Sequence, residues 1–170
     1  MYCWNRNRSD AERTQRAFVR CGVSVMTPST NCIDMIKSFE GMKLKAYKCP
    51  AGIWTIAYGA TAGVKEGDTM TEAEAIDRLK RDVANLSVGV QKLLHVRVTQ
   101  NQLDALISFA YNVGLGRFST STLLKKVNSG HFIEAANEFG KWIHAGATTL
   151  PWLVRRRKAE ADLFMKPESK

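Results

Sequence analysis

Three residues stand at a spacing that could carry chemistry: Glu40, Cys49 after a further eight residues, and Thr55 after five more, all within FEGMKLKAYKCPAGIWTIAYG at 39–59. Cleaving a glycosidic bond needs a carboxylic acid beside the scissile oxygen. An inverting enzyme also needs a base or water-orienting group on the opposite face, several ångströms away. The spacing alone is only permissive. A glutamate at a helix end is ordinarily solvated, a cysteine ordinarily fills apolar space, and a strand threonine ordinarily just packs.

The elements that must position these residues are legible in the period of the apolar side chains. Ser29, Thr30 and Asn31 offer N-cap oxygens, Ile33, Ile36 and Phe39 recur on one helical face, and Gly41 supplies a stop. Glu40 is thereby the last residue of a short helix. Leu44 and Ala46, then Ile53, Thr55 and Ala57, alternate around the turn chemistry of Pro50, Ala51 and Gly52. This predicts a small twisted hairpin able to fold Cys49 and Thr55 back towards Glu40, with a third strand near 62–70. Thr71 and Glu74 form a capping box ahead of Ile76, Leu79, Val83, Leu86, Val90 and Leu93, the pattern of a long amphipathic connecting helix. A second box at 99–102 opens a helix through Leu103, Leu106, Ile107, Ala110 and Tyr111, which Gly114 breaks. Further helices are expected at about 119–129, 132–144 and 152–165, with 145–151 as a loop. The fold class is α+β, mostly α, with two lobes. A small hairpin sheet lies in the N-terminal lobe (29–71), a long helix connects (72–95), and the C-terminal lobe is helical (96–165).

The chain's 170 residues and 45% hydrophobic content suit one globular domain over 29–170, preceded by a basic, flexible arm over 1–28. Residues 1–25 hold five arginines against Asp10 and Glu12, +3 of the net +9, with no sustained apolar period. Met26, where the patterned sequence begins, is a candidate true start. No run approaches a membrane-spanning length or reads as a cleavable signal. Cys3, Cys21, Cys32 and Cys49 make no CxxC pair, and His95, His131 and His144 make no ligand motif, so neither metal nor cofactor is expected. A pI near 9.6 favours anionic partners.

Residues 37–59 resemble the signature of the phage-type lysozymes, glycoside hydrolase family 24, whose catalytic set is a glutamate, then Asp or Cys, then a threonine at the spacing found here. The likeness continues through TAGVKEGDTMTEAEA, TQNQLDALISFAYNVGLGRFSTSTLL and LVRRRKAEADLF, covering about 29–165. It implies a lysozyme-like fold and hydrolysis of the β-1,4 bond between N-acetylmuramic acid and N-acetylglucosamine in bacterial peptidoglycan. Glu40 would be the general acid, with Cys49 and Thr55 positioning or activating water. Arg156 would pair with Glu40, Arg155 being the neighbouring alternative, although RRRK also reads as a solvated helix face. Thr61, Tyr111, Asn112 and Ser121 would contact substrate, each being equally readable as a cap or core residue. The implied protein is a monomer made in the host cytoplasm that acts on the periplasmic wall after release through a separate holin, without stable membrane insertion.

Several positions depart from the family pattern. Cys49 replaces the commoner aspartate, and an unperturbed thiol is only about 3% thiolate at pH 7. Some relatives with cysteine here are gated by a disulfide. A Cys32–Cys49 bridge is disfavoured by the helix length between Cys32 and Glu40, roughly 12 Å, which leaves Cys3 or Cys21 on the arm. Ala57 stands for a glycine, Ala60 for a histidine and Trp152 for a glycine, and the glycine losses matter if those backbones need positive φ. Two other readings remain: a lysozyme-shaped binder that does not cut, and a basic nucleic-acid protein. The second is disfavoured because the basic residues are scattered, with no recognition helix.

Overall fold

The computed structural model describes residues 26–49, 51–146 and 148–168. In chain order it contains α1 (Thr30–Glu40), β1 (Lys43–Lys48), β2 (Trp54–Ala57), α2 (Glu72–Lys92), α3 (Gln100–Val113), α4 (Leu115–Ser119), α5 (Thr122–Asn128), α6 (Phe132–Phe139), β3 (His144–Ala145), β4 (Thr148–Thr149) and α7 (Pro151–Met165). The mostly helical class with a small antiparallel hairpin is the one expected. Residues 1–25 of the expected arm lie outside the described residues, but 26–28 are held. The Gln91 side chain accepts from the Met26 N–H at 2.9 Å and donates to its carbonyl at 2.9 Å, and Gln100 donates to the Thr27 carbonyl.

Both capping boxes form, Thr71 with Glu74 and Thr99 with Gln102, so α2 and α3 begin where the sequence places them. Leu79, Val83, Leu86 and Val90 of α2 are buried, as the 3–4 period requires. Helix α3 is different in kind. Every residue from Gln102 to Ala110 is buried, because α1, α2, α4 and α7 all pack around it. Phe109 of α3 meets Phe139 and Trp142 edge-on, each with ring centroids 5.3 Å away, closing the C-terminal lobe.

A helix enclosed on every side has to find partners for any polar side chain it carries. Asp104 and Ser108, both fully buried, are the test. Ser108 turns towards α7, as described below. Asp104 reaches the start of α1: it accepts from the Ser29 backbone N–H at 3.1 Å, from the Ser29 hydroxyl at 2.5 Å and from Gln100 at 2.9 Å. Ser29 is therefore the N-cap residue by position, yet its hydroxyl serves Asp104 and makes no cap hydrogen bond.

Four local expectations are corrected. The third strand at 62–70 reduces to a single bridge, Lys45 to Thr69, flanked by two backbone bonds from Ala46 and Met70. The hairpin alternation fails because the β1–β2 register shifts between Lys43↔Ala57 and Tyr47↔Thr55. Leu44 and Ile53 are exposed, while Thr55, Ile56 and Ala57 are all buried. The helix expected over about 119–129 starts three residues later, as α5, behind a separate short helix, α4. The helix expected to reach 144 stops at Phe139, capped by Gly140, and His144–Ala145 pairs antiparallel with Thr148–Thr149 as β3 and β4 where a helix end and a loop are expected.

Because Asp104 is the bond between the central helix and the start of α1, Asp104→Ala is expected to lower stability by about 2–3 kcal/mol. Urea unfolding followed by circular dichroism measures it.

Candidate active site

Glu40 closes α1, and Gly41 at φ 68° turns the chain into β1. The Glu40 side chain is only 7% exposed, and its Oε1 accepts from Nη1 of Arg156 at 2.5 Å. Arg156 is fully buried, whereas Arg155 on the same helix is exposed, so it is Arg156 and not Arg155 that reaches Glu40. The remaining edges of the Arg156 guanidinium are also taken. Nε donates to Oε1 of Glu160 at 3.0 Å, and Nη2 donates to the Ser108 carbonyl at 3.1 Å.

Glu160 is likewise fully buried and accepts from the Ser108 hydroxyl at 2.8 Å. Arg157 completes the group: Nη2 donates to Oδ1 of Asn112 at 2.6 Å, and its guanidinium lies 4.8 Å over the Phe109 ring. Its Nη1 is 3.1 Å from Oε2 of Glu160, close enough for an ion contact but off the hydrogen-bonding direction, so both atoms and Arg157 Nε make no hydrogen bond within the protein. Burial pulls the Arg156 guanidinium down, but Glu40 and Glu160 outweigh it and hold it above the ordinary arginine range. Arg157 is pushed down to about 10 by burial, against the pull of Glu160, and stays cationic at neutral pH.

The hairpin places the other two members of the spacing. Thr55 sits opposite Tyr47 in the ladder, is 1% exposed, and its hydroxyl donates to the Ile53 carbonyl at 3.0 Å. Cys49 is 3% exposed at the turn, closed by its own N–H to Ile53 and by Gly52 to its carbonyl. After β2, the chain folds back tightly through Ile56 and Ala60, which exchange two backbone bonds at 2.9 Å. Gly59, in this loop at φ 91°, a conformation that favours glycine, lies beside Glu40: a Cβ there would be in ordinary contact, 3.9 Å from Oε2.

Tyr111 donates its hydroxyl to the Tyr58 carbonyl at 2.7 Å, strapping the 57–60 loop to α3. Burial and then the Glu40 charge push its phenol well above the usual range. Tyr111 thus lies at the site as a brace. Asn112 is engaged by Arg157. Thr61 is half-buried beside the loop, its carbonyl accepting from Val64. Ser121 is buried and caps α5, accepting from Leu124 and donating to Phe118; that cap is where the structure puts both its hydrogen-bonding functions. The structure gathers Glu40, Arg156, Tyr111 and Asn112 around one network. Cys32 and Cys49 are not bonded to each other, and Cys3 and Cys21 lie outside the described residues.

Sequence reasoning missed Ser108, Arg157, Glu160 and Gly59. The signal for one of them was present. Leu153, Arg156, Glu160 and Leu163 step by 3, 4 and 3, which puts Glu160 with Arg156 on the core-facing stripe of α7.

Comparison with known proteins gives a consistent result. The phage lysozyme family model matches residues 37–160. The chain is 43% identical over 134 residues to an endolysin of Acyrthosiphon pisum secondary endosymbiont phage 1, covering 76% of this chain and 92% of that one. It is 48% identical over 141 residues to an endolysin of Bacillus phage B103, 81% of this chain but only 54% of the relative. Among solved structures, the muramidase domain of SpmX from Asticaccaulis excentricus superposes with a TM-score of 0.80 at 39% identity, covering 83% of this chain and 99% of that one.

Ala57 is the one described non-glycine residue with positive φ, at 56°, in the turn that leads to Gly59. A left-handed backbone strains a side chain with a Cβ. Ala57→Gly is therefore expected to stabilise the fold by about 1 kcal/mol, raising Tm by about 3 °C, as read by thermal unfolding.

Proposed function

The chain belongs to the phage lysozyme family, and from that premise we propose that Glu40 is the general acid of its reaction, with Cys49 and Thr55 holding and activating the attacking water. The protein is a lysozyme-type glycosidase of endolysin and muramidase function, and its substrate is peptidoglycan. The bond cleaved in this reading is the β-1,4 linkage from N-acetylmuramic acid to N-acetylglucosamine.

One observation carries the assignment of the acid: Glu40 is withdrawn from solvent, fixed through Oε1 by a buried guanidinium, with Oε2 facing the Gly59 backbone. A carboxyl tethered by one oxygen can present a proton from the other in a constant direction. The proton goes to the glycosidic oxygen as the bond to the muramic acid carbon breaks, and water adds at that carbon from the opposite face. On the hairpin, the Thr55 hydroxyl oxygen can accept from that water while donating to Ile53. The Cys49 thiolate is the group able to take the water's proton, which makes the rate sensitive to how much thiolate is present.

The remaining parts of the reading concern delivery. The net charge of +9 draws the protein to anionic envelope polymers. It works as a monomer and reaches the wall through a separate holin-like pore. Among the described residues, no helix is long and apolar enough to cross a membrane.

Purified peptidoglycan digested by the wild-type chain is expected to release fragments with new muramic acid reducing ends. Glu40→Gln is expected to lower that release by about 10³-fold or more. Wall retention without fragments from the wild type would make the protein a binder. Cys49→Asp is expected to move the optimum to lower pH, because a carboxylate ionises about four units below a thiol. Superimposable pH profiles would reduce Cys49 to shaping the water site.

A further inference from the structure

We propose that Glu160 is a positioning residue of this site: its buried carboxylate aims the Arg156 guanidinium at Glu40 and shares that guanidinium's charge with it. The inference rests on the reading of Glu40 as the acid and deepens it.

A buried arginine with one carboxylate partner would form a closed ion pair, and a closed pair suits a structural contact better than an acid that must gain and lose a proton. Arg156 is not in that position. Its Nε edge is bound by Glu160 Oε1 at 3.0 Å and its Nη2 by the Ser108 carbonyl at 3.1 Å, so two contacts fix the plane before Nη1 reaches Glu40. Glu160 is itself held, with the Ser108 hydroxyl on the same oxygen at 2.8 Å and Arg157 beside the other. The charges facing this group are Arg156 and Arg157 from α7 and Glu40 from α1, while Asp104 of α3 acts on neighbouring Cys32, and Arg78 and Asp82 of α2 on Tyr111. The uncharged polar groups are Cys32 from α1 and Ser108, Tyr111 and Asn112 from α3. Cys32 reports the same field: burial first, then the charges of Asp104 and Glu160, push its thiol upward.

The substitution Glu160→Gln keeps an acceptor for Arg156 Nε and Ser108 but removes the charge. All of the Arg156 charge then falls on Glu40 and favours its ionised form, so the acid is lost at lower pH. The alkaline limb of the kcat/KM profile is expected to move down by about 1 pH, with kcat at neutral pH falling about tenfold and KM within about twofold. Difference infrared spectra against Glu40→Gln should show the Glu40 carboxyl band titrating lower by the same amount. Conserved limb and titration in a folded Glu160→Gln would overturn the proposal, even if overall activity dropped, since a purely structural role lowers rate without moving either. Should that variant fail to fold, Glu160→Gln with Arg157→Gln removes the stranded cation as well and is expected to show the same displacement; an unmoved limb there overturns it equally. If Glu40→Gln retained wild-type activity, the acid assignment would fail, while the infrared titration would still decide whether Glu160 governs Arg156 and Glu40.

Discussion

A charge carried into the interior has to be met there, and the fully buried guanidinium of Arg156 imposes that requirement on everything around Glu40. Three elements answer it: α1 with the Glu40 carboxylate, α3 with the Ser108 carbonyl, and α7 itself with Glu160. None of these residues lies in the hairpin that carries Cys49 and Thr55. Glu40 is thus fixed by the helical framework, and the small sheet positions only the other two members of the spacing. Removing one partner from such a group costs about 3–5 kcal/mol, so the site and the fold stand on the same contacts.

The hairpin side is built with less margin. Its register is irregular, the turn into the 57–60 loop holds an alanine at positive φ, and the loop is braced by one phenol, Tyr111 to the Tyr58 carbonyl. Strain at such a place persists only where surrounding contacts over-determine it. The paired Ile56–Ala60 bonds and the burial of Ile56, Ala57 and Tyr58 provide that. The strain therefore lies one residue from the bond that ties the loop to α3, and two from the glycine that faces the acid.

Much of this was legible in the residues. Glu40 as a helix terminus followed from Gly41, and the starts of α2 and α3 followed from capping boxes, because these signals are local and chemical. The family likeness led to Arg156, and burial then separated it from Arg155. What failed was set by non-local packing. Leu44 and Ile53 are of the apolar type expected of an inward face, but both are exposed, Ile53 lying just before β2. Ser29 carried a capping hydroxyl, but a buried aspartate 75 residues away claimed it. Ser121 and Asn112 take structural bonds that their types did not announce: the first caps α5 and the second accepts from Arg157. The RRRK run hid its meaning because composition cannot say which two of four cations face inward. The step to Glu160 could have said so.

The 116 residues between Glu40 and Arg156 also have a meaning in time. A chain growing from its N-terminus makes Glu40 well before the guanidinium that meets it, and Arg156 must dock through α7 before the carboxyl has a defined direction. Partial chains ending before that helix contain the whole hairpin and the glutamate, yet lack the group that holds it. The direction of the Glu40 carboxyl is thereby coupled to the synthesis and docking of α7.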